Sequence, residues 1–431
     1  MSKVFERIMY KQIDAFIQIK LSKLLTGFRK NHSTQNCLVT MLNVWKKSID
    51  RGENLCAIFM DLSKAFDTMR HDLLIAKLGA YGFNDDALNY MLSYFNNRQQ
   101  RVCVNSNFSN WQNLLTGVPQ GSILGPLLFN IFINDLFLFI SNSYLSNYAD
   151  DNTLYAFGNN IEEVKISLLS DFRIVSNWFY ENYMALNADK CHFMCFGPNK
   201  EDEKFEFDGV CLENSKKEKI LGITIDNKLN FQSHIKEICR KASQKLGALS
   251  RISNFLDDSQ KKKIFSAVVK SQFSYCPLVW MFCSRISNNL INKIHERSLR
   301  LITNDYNNDY ETLLKSSDEI CNHHRNIQTL MIEMYKIYHN IAPPIMDSMF
   351  QRRHKNYNLR NFQEFFTEKK RTVASGLETI SYRSPQLWSL LPENLKVINT
   401  LNQFKIEVRK WICYDCPCRL CKVYVANLGF L

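Results

Sequence analysis

Two apolar, strand-like runs that each end in carboxylates constrain this chain more than any other feature of its sequence. Asp61 ends the run 57–61, and Asp150 and Asp151 end the run 146–151. Hard divalent ions such as Mg²⁺ take carboxylate oxygens as ligands and also bind phosphates. We therefore expect the three carboxyl groups to converge on one patch, although 89 positions separate Asp61 from Asp150.

An adjacent Asp pair is a weak signal when it stands alone. Asp85-Asp86 and Asp257-Asp258 carry the same pair, and there we predict solvated helix starts, because acidic side chains favour helix N-termini. At 148–155 the aromatic lead and the following Thr-Leu-Tyr predict a β-hairpin with its charge at the turn. An ordinary surface turn is an equal alternative for this segment taken alone.

A glycine-rich segment, 117–122, precedes a predicted helix over 123–139. Glycine lets the backbone approach a ligand closely, and a helix N-terminus favours phosphate. A plain turn followed by a helix cap is the alternative interpretation.

Hydrophobic periodicity predicts a mixture of helices and strands up to about residue 230. Apolar residues spaced three and four apart predict helices at 8–25, 32–50, 85–96, 123–139 and 162–182, and short β-branched or aromatic runs predict strands at 55–60, 148–157, 192–196 and 220–225. Beyond Asn230 amphipathic helices dominate to about Ala342, before Pro343 and Pro344. We predict three parts: a mixed domain 1–230, a helical basic region 231–342 and a C-terminal region 343–431.

Composition indicates a globular chain with one strongly basic segment. Of 431 residues 45% are hydrophobic, and the net charge is +12, which favours a polyanionic partner. Residues 231–305 hold 13 Lys or Arg against 5 Asp or Glu. The N-terminus resembles neither a secretory signal nor a membrane span, so we expect an intracellular protein, in the cytoplasm or nucleus, whose 14 Cys are reduced and mostly buried thiols.

Six segments, in this order, resemble the motifs of reverse transcriptases from non-LTR retrotransposons of the jockey type. FMDLSKAFD, GVPQG, YADD and LNADKC resemble motifs A to D, KILGI resembles motif E, and GFRKNHSTQ resembles a fingers motif; they occupy 59–67, 117–121, 148–151, 186–191, 219–223 and 27–35. The resemblance is strong over residues 1 to about 230. It implies an α+β right-hand polymerase fold, with fingers and an antiparallel palm sheet, followed by a helical thumb.

The resemblance also implies an RNA-directed DNA polymerase, a nucleotidyltransferase that adds dNTPs to a DNA primer on an RNA template. Asp61, Asp150 and Asp151 would be the catalytic ligands of two Mg²⁺ ions, with Mn²⁺ as an alternative, and would act through an in-line phosphoryl displacement. Asp67, on the same motif as Asp61, is not a metal ligand in that family.

Further roles follow from the same motifs. Phe66 would form a wall against the sugar 2′ position that disfavours ribonucleotides, although by itself it is equally a core aromatic. Gln120 and Gly121 would support the template base and the nucleotide, and Arg29 would approach either from the fingers. Lys190 would donate a proton to pyrophosphate, whereas an isolated lysine is usually a solvated charge.

The basic region would act as a thumb that binds the duplex backbone without reading its sequence. The residues assigned to this contact are Lys236, Arg240, Lys241, Lys245, Arg251, Lys261, Lys262, Lys263 and Lys270. An ordinary soluble helix surface is the alternative.

Some family features are absent from the sequence. A fingers segment that precedes the present start in the family, an endonuclease and an RNase H are not found, so we expect nicking activity to come from elsewhere and incorporation to be slow or lost. A non-catalytic nucleic-acid-binding remnant is therefore an alternative. An RNA-directed RNA polymerase is another, which Phe66 and the Tyr-Ala before Asp150 disfavour. The cluster Cys413, Cys416, Cys418 and Cys421 is cramped and lacks a spaced partner pair, which favours no zinc site.

Overall fold

The computed structural model of the chain describes residues 2–119, 121–197, 200, 202–353, 364–418 and 420–421. The chain forms two compact units. Residues 1–33 and 53–215 form one, here called the N-terminal unit, and residues 34–52 and 216–431 form the other, the C-terminal unit.

The helices are, in chain order, α1 Ser2–Ile17, α2 Thr34–Arg51, α3 Ala65–Thr68, α4 His71–Ala80, α5 Asp85–Phe95, α6 Gly125–Ile133, α7 Ile161–Glu181, α8 Gln232–Ile252, α9 Asp258–Ile264, α10 Pro277–Trp280, α11 Arg285–Thr303, α12 Tyr310–Ser316, α13 Asn322–Tyr338, α14 Pro344–Asp347, α15 Ile380–Ser389, α16 Glu393–Lys396 and α17 Leu401–Val408. Shorter 3₁₀ segments occupy Asn134–Leu138, Ala188–Lys190, Ser253–Phe255 and Lys270–Phe273, and π segments occupy Phe265–Val269 and Val373–Leu377.

The strands are β1 Asn54–Met60, β2 Leu62–Ser63, β3 Gln99–Gln100, β4 Cys103–Val104, β5 Asn107–Phe108, β6 Gln112–Asn113, β7 Tyr144–Tyr148, β8 Asp151–Gly158, β9 Ala185–Leu186, β10 His192–Phe196, β11 Lys204–Phe207, β12 Val210–Glu213, β13 Lys217–Ile220 and β14 Ile223–Asp226.

An antiparallel sheet in the order β10-β1-β8-β7 forms the centre of the N-terminal unit. The register pairs Phe59 with Thr153 on one side and with His192 on the other. Every residue of β1 from Leu55 to Met60 is buried, as expected for a central strand covered on both faces. Helix α7 packs on β1 and β8, and its Leu168, Val175 and Phe179 are completely buried in the core.

Cysteine usage departs from the prediction in one place. Cys56 and Cys195 face each other in register across β1 and β10 and form a disulfide, whereas we predicted reduced thiols throughout. Directly opposed residues of antiparallel strands have closely spaced Cβ atoms, which allows this bond. The other cysteines form no disulfide and most are buried, which agrees with the prediction.

The C-terminal unit is built mainly from helices. Helix α8 packs against α11, and α13 packs against α15 and α17. Helix α2 belongs to this unit because it packs against α10, α14, α15 and the π segment at 373–377. The β13–β14 hairpin, with positive φ at Leu221 and Gly222 in its turn, also belongs here.

Most predicted elements are present, and the differences lie at their ends. The predicted helix 8–25 ends at Ile17, and the predicted strand 220–225 is interrupted by a hairpin turn. The hairpin predicted at 148–155, with its charge at the turn, is present and divides the predicted strand 148–157. Asp85 and Asp258 begin helices, as predicted, behind the capping residues Asn84 and Asp257. Within the described part of the chain no helix has the length and apolarity needed to cross a bilayer.

The three predicted parts differ from the two compact units. By their contacts, residues 34–52 and 216–431 form one compact unit, and the division into 1–230, 231–342 and 343–431 stays a prediction. Contacts between segments distant in sequence decide this grouping, and such contacts leave no local pattern.

Candidate active site

The three acidic residues lie at the same edge of the central sheet. Asp61 follows the last residue of β1, and β1 pairs with β8 so that Met60 lies opposite Asn152. Asp151 is the first residue of β8, and Asp150 lies in the turn before it. Because β1 and β8 are antiparallel neighbours, the end of one lies beside the start of the other.

The charges at this edge influence one another. The pKa of Asp151 is raised to about 6, first by partial loss of hydration among the strand ends and then by the negative charges of Asp150 and Asp61. The side chain of Asp151 still has exposed surface, so this hydration loss is partial. Repelling carboxylates that keep access to solvent are the donor set that a hard divalent cation such as Mg²⁺ binds.

Lys190 forms the closest ion pair within this group. Its Nζ lies 3.2 Å from Oδ2 of Asp61. The segment that carries Lys190 is attached to the Asp61 segment by the β2–β9 pair, in which Leu62 lies opposite Leu186, and by an N–H of Asn187 that donates to the Asp61 carbonyl over 3.0 Å. Lys190 is 64% exposed, so its ammonium can move without breaking a buried contact.

Gly27 packs against the turn that carries Asp150. A Cβ on Gly27 would lie 2.5 Å from the backbone nitrogen of Ala149, and Ala149 has a left-handed φ of 57°. The Asn130 side-chain amide donates to the Gly27 carbonyl over 2.8 Å. Inside the hairpin, Nδ2 of Asn147 donates to the Ala149 carbonyl and to Oδ1 of Asn152 over 2.7 and 2.9 Å. These contacts fix the position of Asp150.

Phe66 is half-buried between two other rings. It stacks on Phe129 with a centroid separation of 4.5 Å and meets Phe28 edge-on at 5.8 Å. The glycine-rich loop packs directly on its backbone: the N–H of Val118 donates to the Phe66 carbonyl over 3.0 Å. A Cβ on Gly117, whose φ is +77°, would lie 2.7 Å from that same carbonyl oxygen. The loop therefore packs on the backbone of the residue that carries this ring.

Comparison with known proteins agrees with this geometry. A family model described as "Reverse transcriptase (RNA-dependent DNA polymerase)" matches residues 1–225. The chain belongs to the reverse transcriptase family. The motif order and the α+β fold with its antiparallel sheet, predicted from the sequence, are those of this family.

Among curated reverse transcriptases, the chain is 28% identical over 320 residues to "Probable RNA-directed DNA polymerase from transposon BS" of Drosophila melanogaster, a match that covers 70% of this chain and 35% of that protein. It is 25% identical over 316 residues to "RNA-directed DNA polymerase from mobile element jockey" of Drosophila funebris, covering 70% and 34%. The matched part spans about a third of the length of these relatives. Among solved structures, apo telomerase from Candida tropicalis aligns with a TM-score of 0.41 and 12% identity, over 73% of this chain and 51% of that one.

The residues predicted to bind the nucleotide in this reverse transcriptase have different surroundings. Gly121 is exposed, with a φ of +80° and open space around it, whereas Gln120 lies outside the described residues. The guanidinium of Arg29 donates to the carbonyls of Ser22 and Leu25 over 2.7 and 3.1 Å and to the Gln18 side chain. These contacts favour a role for Arg29 in holding its own loop.

The predicted thumb lysines divide into exposed and engaged side chains. Lys236, Arg240 and Arg251 are exposed along one face of α8, about one and three helical turns apart. Lys261 is a correction: its side chain is only 6% exposed and pairs with Asp258, so it cannot contact a duplex. Three more assigned residues have partners within the protein: Lys241 pairs with Glu237, Lys262 donates to the Ser317 carbonyl, and Lys270 pairs with Glu319.

Two supporting residues had no sequence signal that we recognised. His71 approaches the Gly117 carbonyl with Nε2 at 2.7 Å and stacks on Phe95, so it supports the glycine-rich loop from behind. Asn130 was assigned no role from the sequence, yet it is buried and its side-chain amide donates to the Gly27 carbonyl. A buried amide inside an apolar helix is the signal that could have identified it, because such groups need partners.

Proposed function

We propose that this chain carries the polymerase activity of a retrotransposon reverse transcriptase, adding dNTPs to a DNA primer on an RNA template. The observation that supports this most is the placement of Asp61 beside Asp150 and Asp151 at one sheet edge, at the ends of β1 and β8. Family membership supports the reaction class.

The carboxylates of Asp61, Asp150 and Asp151 would hold two divalent ions, Mg²⁺ or alternatively Mn²⁺. When bound, the ions polarise the primer hydroxyl and neutralise charge on the phosphates. Loss of hydration and then the charges of Asp150 and Asp61 raise the pKa of Asp151, and this supports the assignment because a bound cation relieves the repulsion between the carboxylates.

The remaining residues bind and orient. The Phe66 ring, held between Phe129 and Phe28, would contact the sugar 2′ position and exclude a hydroxyl there. Backbone at Gly121 would support the nucleotide, together with Gln120. Lys190, which pairs with Asp61 in the free protein, would release that carboxylate and donate a proton to the pyrophosphate oxygen. Arg29 would keep the Gly27 loop under the acidic turn.

Primer extension on an RNA template with dNTPs and Mg²⁺ tests the proposal. Asp150→Asn should reduce incorporation by about 10³-fold or more, because metal ligation contributes several kcal/mol and each 1.4 kcal/mol is tenfold in rate. Asp67→Asn is the matched control: Asp67 is exposed on the same segment, and an amide of the same shape keeps its packing, so the rate should stay within about threefold.

Binding of primer–template is measured on the same samples. A wild-type chain that binds the duplex without incorporating any dNTP under Mg²⁺ or Mn²⁺ would contradict the polymerase proposal and establish the non-catalytic alternative. Equal loss in both Asp variants would place the effect in folding of the segment.

A further inference from the structure

A second group of potential metal ligands lies in the C-terminal unit, far along the chain from the acidic residues. His323, at the start of α13, meets three cysteines that follow α17: Cys416, Cys418 and Cys421. All four are buried, and their ligand atoms lie within 4.8 Å of one another. Nε2 of His323 lies 3.2 Å from Sγ of Cys418.

The surrounding fold holds these donors in place. Gln328, one and a half turns along α13 from His323, donates through Nε2 to the carbonyls of Arg409 and Trp411 over 3.0 and 2.8 Å. Helix α13 also packs on α17, where Tyr335 stacks on Phe404 at 4.2 Å. The segment that leads into the cysteines is therefore anchored to the helix that carries the histidine.

We propose that His323, Cys416, Cys418 and Cys421 bind one structural Zn²⁺ ion. In a tetrahedral site with Zn–S bonds of about 2.3 Å, neighbouring ligand atoms are about 3.8 Å apart, which agrees with the separations found here. Three sulfurs and one imidazole are a donor set typical of structural zinc sites, and soft thiolates disfavour Mg²⁺ and Ca²⁺.

Two simpler explanations account for less of this arrangement. Buried cysteines often pack as small apolar residues, but packing alone does not require an imidazole nitrogen to point at a thiol sulfur. A disulfide would use two sulfurs only, and the three cysteines are free. The sequence pattern disfavoured zinc because the cysteines had no partner pair; His323, 93 positions before Cys416, supplies the missing donor.

Cys413 is buried beside the group but is not one of its four members. The proposed donor set is thus Cys₃His and excludes the first cysteine of the cluster. Zinc would join the start of α13 to the segment after α17 and stabilise that end of the C-terminal unit. The site requires nothing of the polymerase chemistry, so either proposal can fail without the other.

The test is the metal content of the whole chain, expressed with zinc, purified under reducing conditions without chelator and dialysed against metal-free buffer. We expect about one zinc per chain, as a closed structural site holds. Replacement by Co²⁺ should give the ligand-field and thiolate charge-transfer absorption of a tetrahedral site. Metal-free protein without either cobalt signal would overturn the proposal, whatever the variants show.

Variants then identify the ligands. His323→Ala and Cys418→Ser should lose most of the zinc, whereas His323→Cys should retain it and show one more thiolate in the cobalt spectrum. Cys413→Ser and Cys239→Ser, a buried free cysteine on α8, should keep the wild-type content. Wild-type zinc in His323→Ala, or loss in Cys413→Ser, would overturn the Cys₃His assignment. Loss of zinc from His323→Ala could also result from misfolding. The zinc content of His323→Cys decides the assignment in that case, because this variant must fold and bind the metal to give the expected result.

Discussion

Gly27 leaves no room for a side chain below the Ala149 turn. Its Cβ would lie 2.5 Å from a backbone nitrogen, and backbone cannot give way as a flexible side chain can. We predict that Gly27→Ala destabilises the N-terminal unit by about 1–3 kcal/mol, as overpacking does, and reduces incorporation by displacing Asp150.

Gly79→Ala is the control for Gly27→Ala, because a Cβ on Gly79 would make an ordinary 3.5 Å contact with Leu88. Urea unfolding measures the stability of both variants, and primer extension measures their dNTP incorporation. Gly27→Ala should lose both, and Gly79→Ala should lose neither. If Gly27→Ala unfolds at the wild-type urea concentration and incorporates normally, the turn does not depend on this contact.

Phe66 supports a prediction about sugar selection. Phe66→Ala should raise the use of ribonucleotides relative to deoxynucleotides about tenfold or more, because removing a steric wall forfeits about 1–3 kcal/mol of discrimination. The ratio of kcat/KM for a ribonucleotide and its deoxy counterpart measures this. Phe83→Ala, which removes a half-buried ring that packs on Phe16, should leave the ratio unchanged. An unaltered ratio for Phe66→Ala would mean that the ring only packs.

The acidic residues could be predicted from the sequence more readily than the residues that hold them in place. Asp61, Asp150 and Asp151 each terminate a strong apolar run, so both their strand ends and their chemistry are local signals. Gly27 was part of a recognised motif, but its contact with Ala149 is made across 122 positions and depends on the folded sheet. His71 and His323 likewise act through contacts that no periodicity records.

Helices α8 and α11 each bury a histidine that resists protonation. Burial lowers the pKa of His234 to about 4 and that of His295 to about 3, and neighbouring cations add to the effect at both. In the unfolded chain both would titrate near 6.5. The unfolded state therefore binds more protons below that pH, and stability present at pH 7 is lost as the pH falls from about 6.5 toward 3.

For His295 we predict a loss of about 2 kcal/mol between pH 7 and pH 5, since one pKa unit corresponds to about 1.4 kcal/mol. Denaturant unfolding at both pH values measures it. His295→Gln, which cannot become charged and can still meet the Tyr310 hydroxyl now 2.8 Å from Nδ1, should remove this loss of about 2 kcal/mol and leave the contribution of His234. His192→Gln, at an exposed site, should not remove it, and identical pH profiles for the two variants would contradict the assignment.

The exposed face of α8 supports a prediction about nucleic acid. Neutralising Lys236, Arg240 and Arg251 together should weaken primer–template binding equally for unrelated sequences and reduce the slope of log K against log salt by up to about 0.9 per lost phosphate contact. Filter binding from low to moderate salt measures the slope. Lys315→Ala, which removes an exposed charge from α12, is the control. A salt slope unchanged by the triple variant would place the contact on another surface.

Element types were predictable where the periodicity was long, as in α7, which begins and ends within one residue of its predicted bounds. The turn at 149–150, marked by its two carboxylates, was predicted with its hairpin, but the turn inside the run 220–225 was not. Leu221 and Gly222 interrupt a run that reads as one strand, because their positive φ values form a hairpin that hydrophobicity does not encode.

At the scale of the whole molecule, the N-terminal part of the chain contributes a core helix to the C-terminal unit. Trp45, on α2, is completely buried. We predict that Trp45→Ala destabilises the C-terminal unit by about 3–5 kcal/mol, the usual cost of removing a large buried side chain. Hydrogen exchange should show weaker protection in α13 and α17 and unchanged protection in β1 and β8. Trp111→Ala, at a side chain 55% exposed, should leave the protection of all these elements unchanged. If Trp45→Ala weakened the protection of β1 and β8 but not that of α13, the grouping of α2 with the C-terminal unit would be contradicted.

The C-terminal unit combines an early segment of the chain, 34–52, with a late one, 216–431, so its parts are synthesised at different times. Helix α2 is complete at Arg51, but the earliest of the helices that pack extensively on it, α10, begins only at Pro277. At about 5–20 residues per second, its apolar face leaves the ribosome about 10–45 s before that partner exists. During this interval the apolar face of α2 is exposed to solvent on the nascent chain, although all strands of the sheet that contains β1 and β8 have already been synthesised. The chain should therefore depend on holdase chaperones early in translation, at a stage when its acidic edge is already assembled.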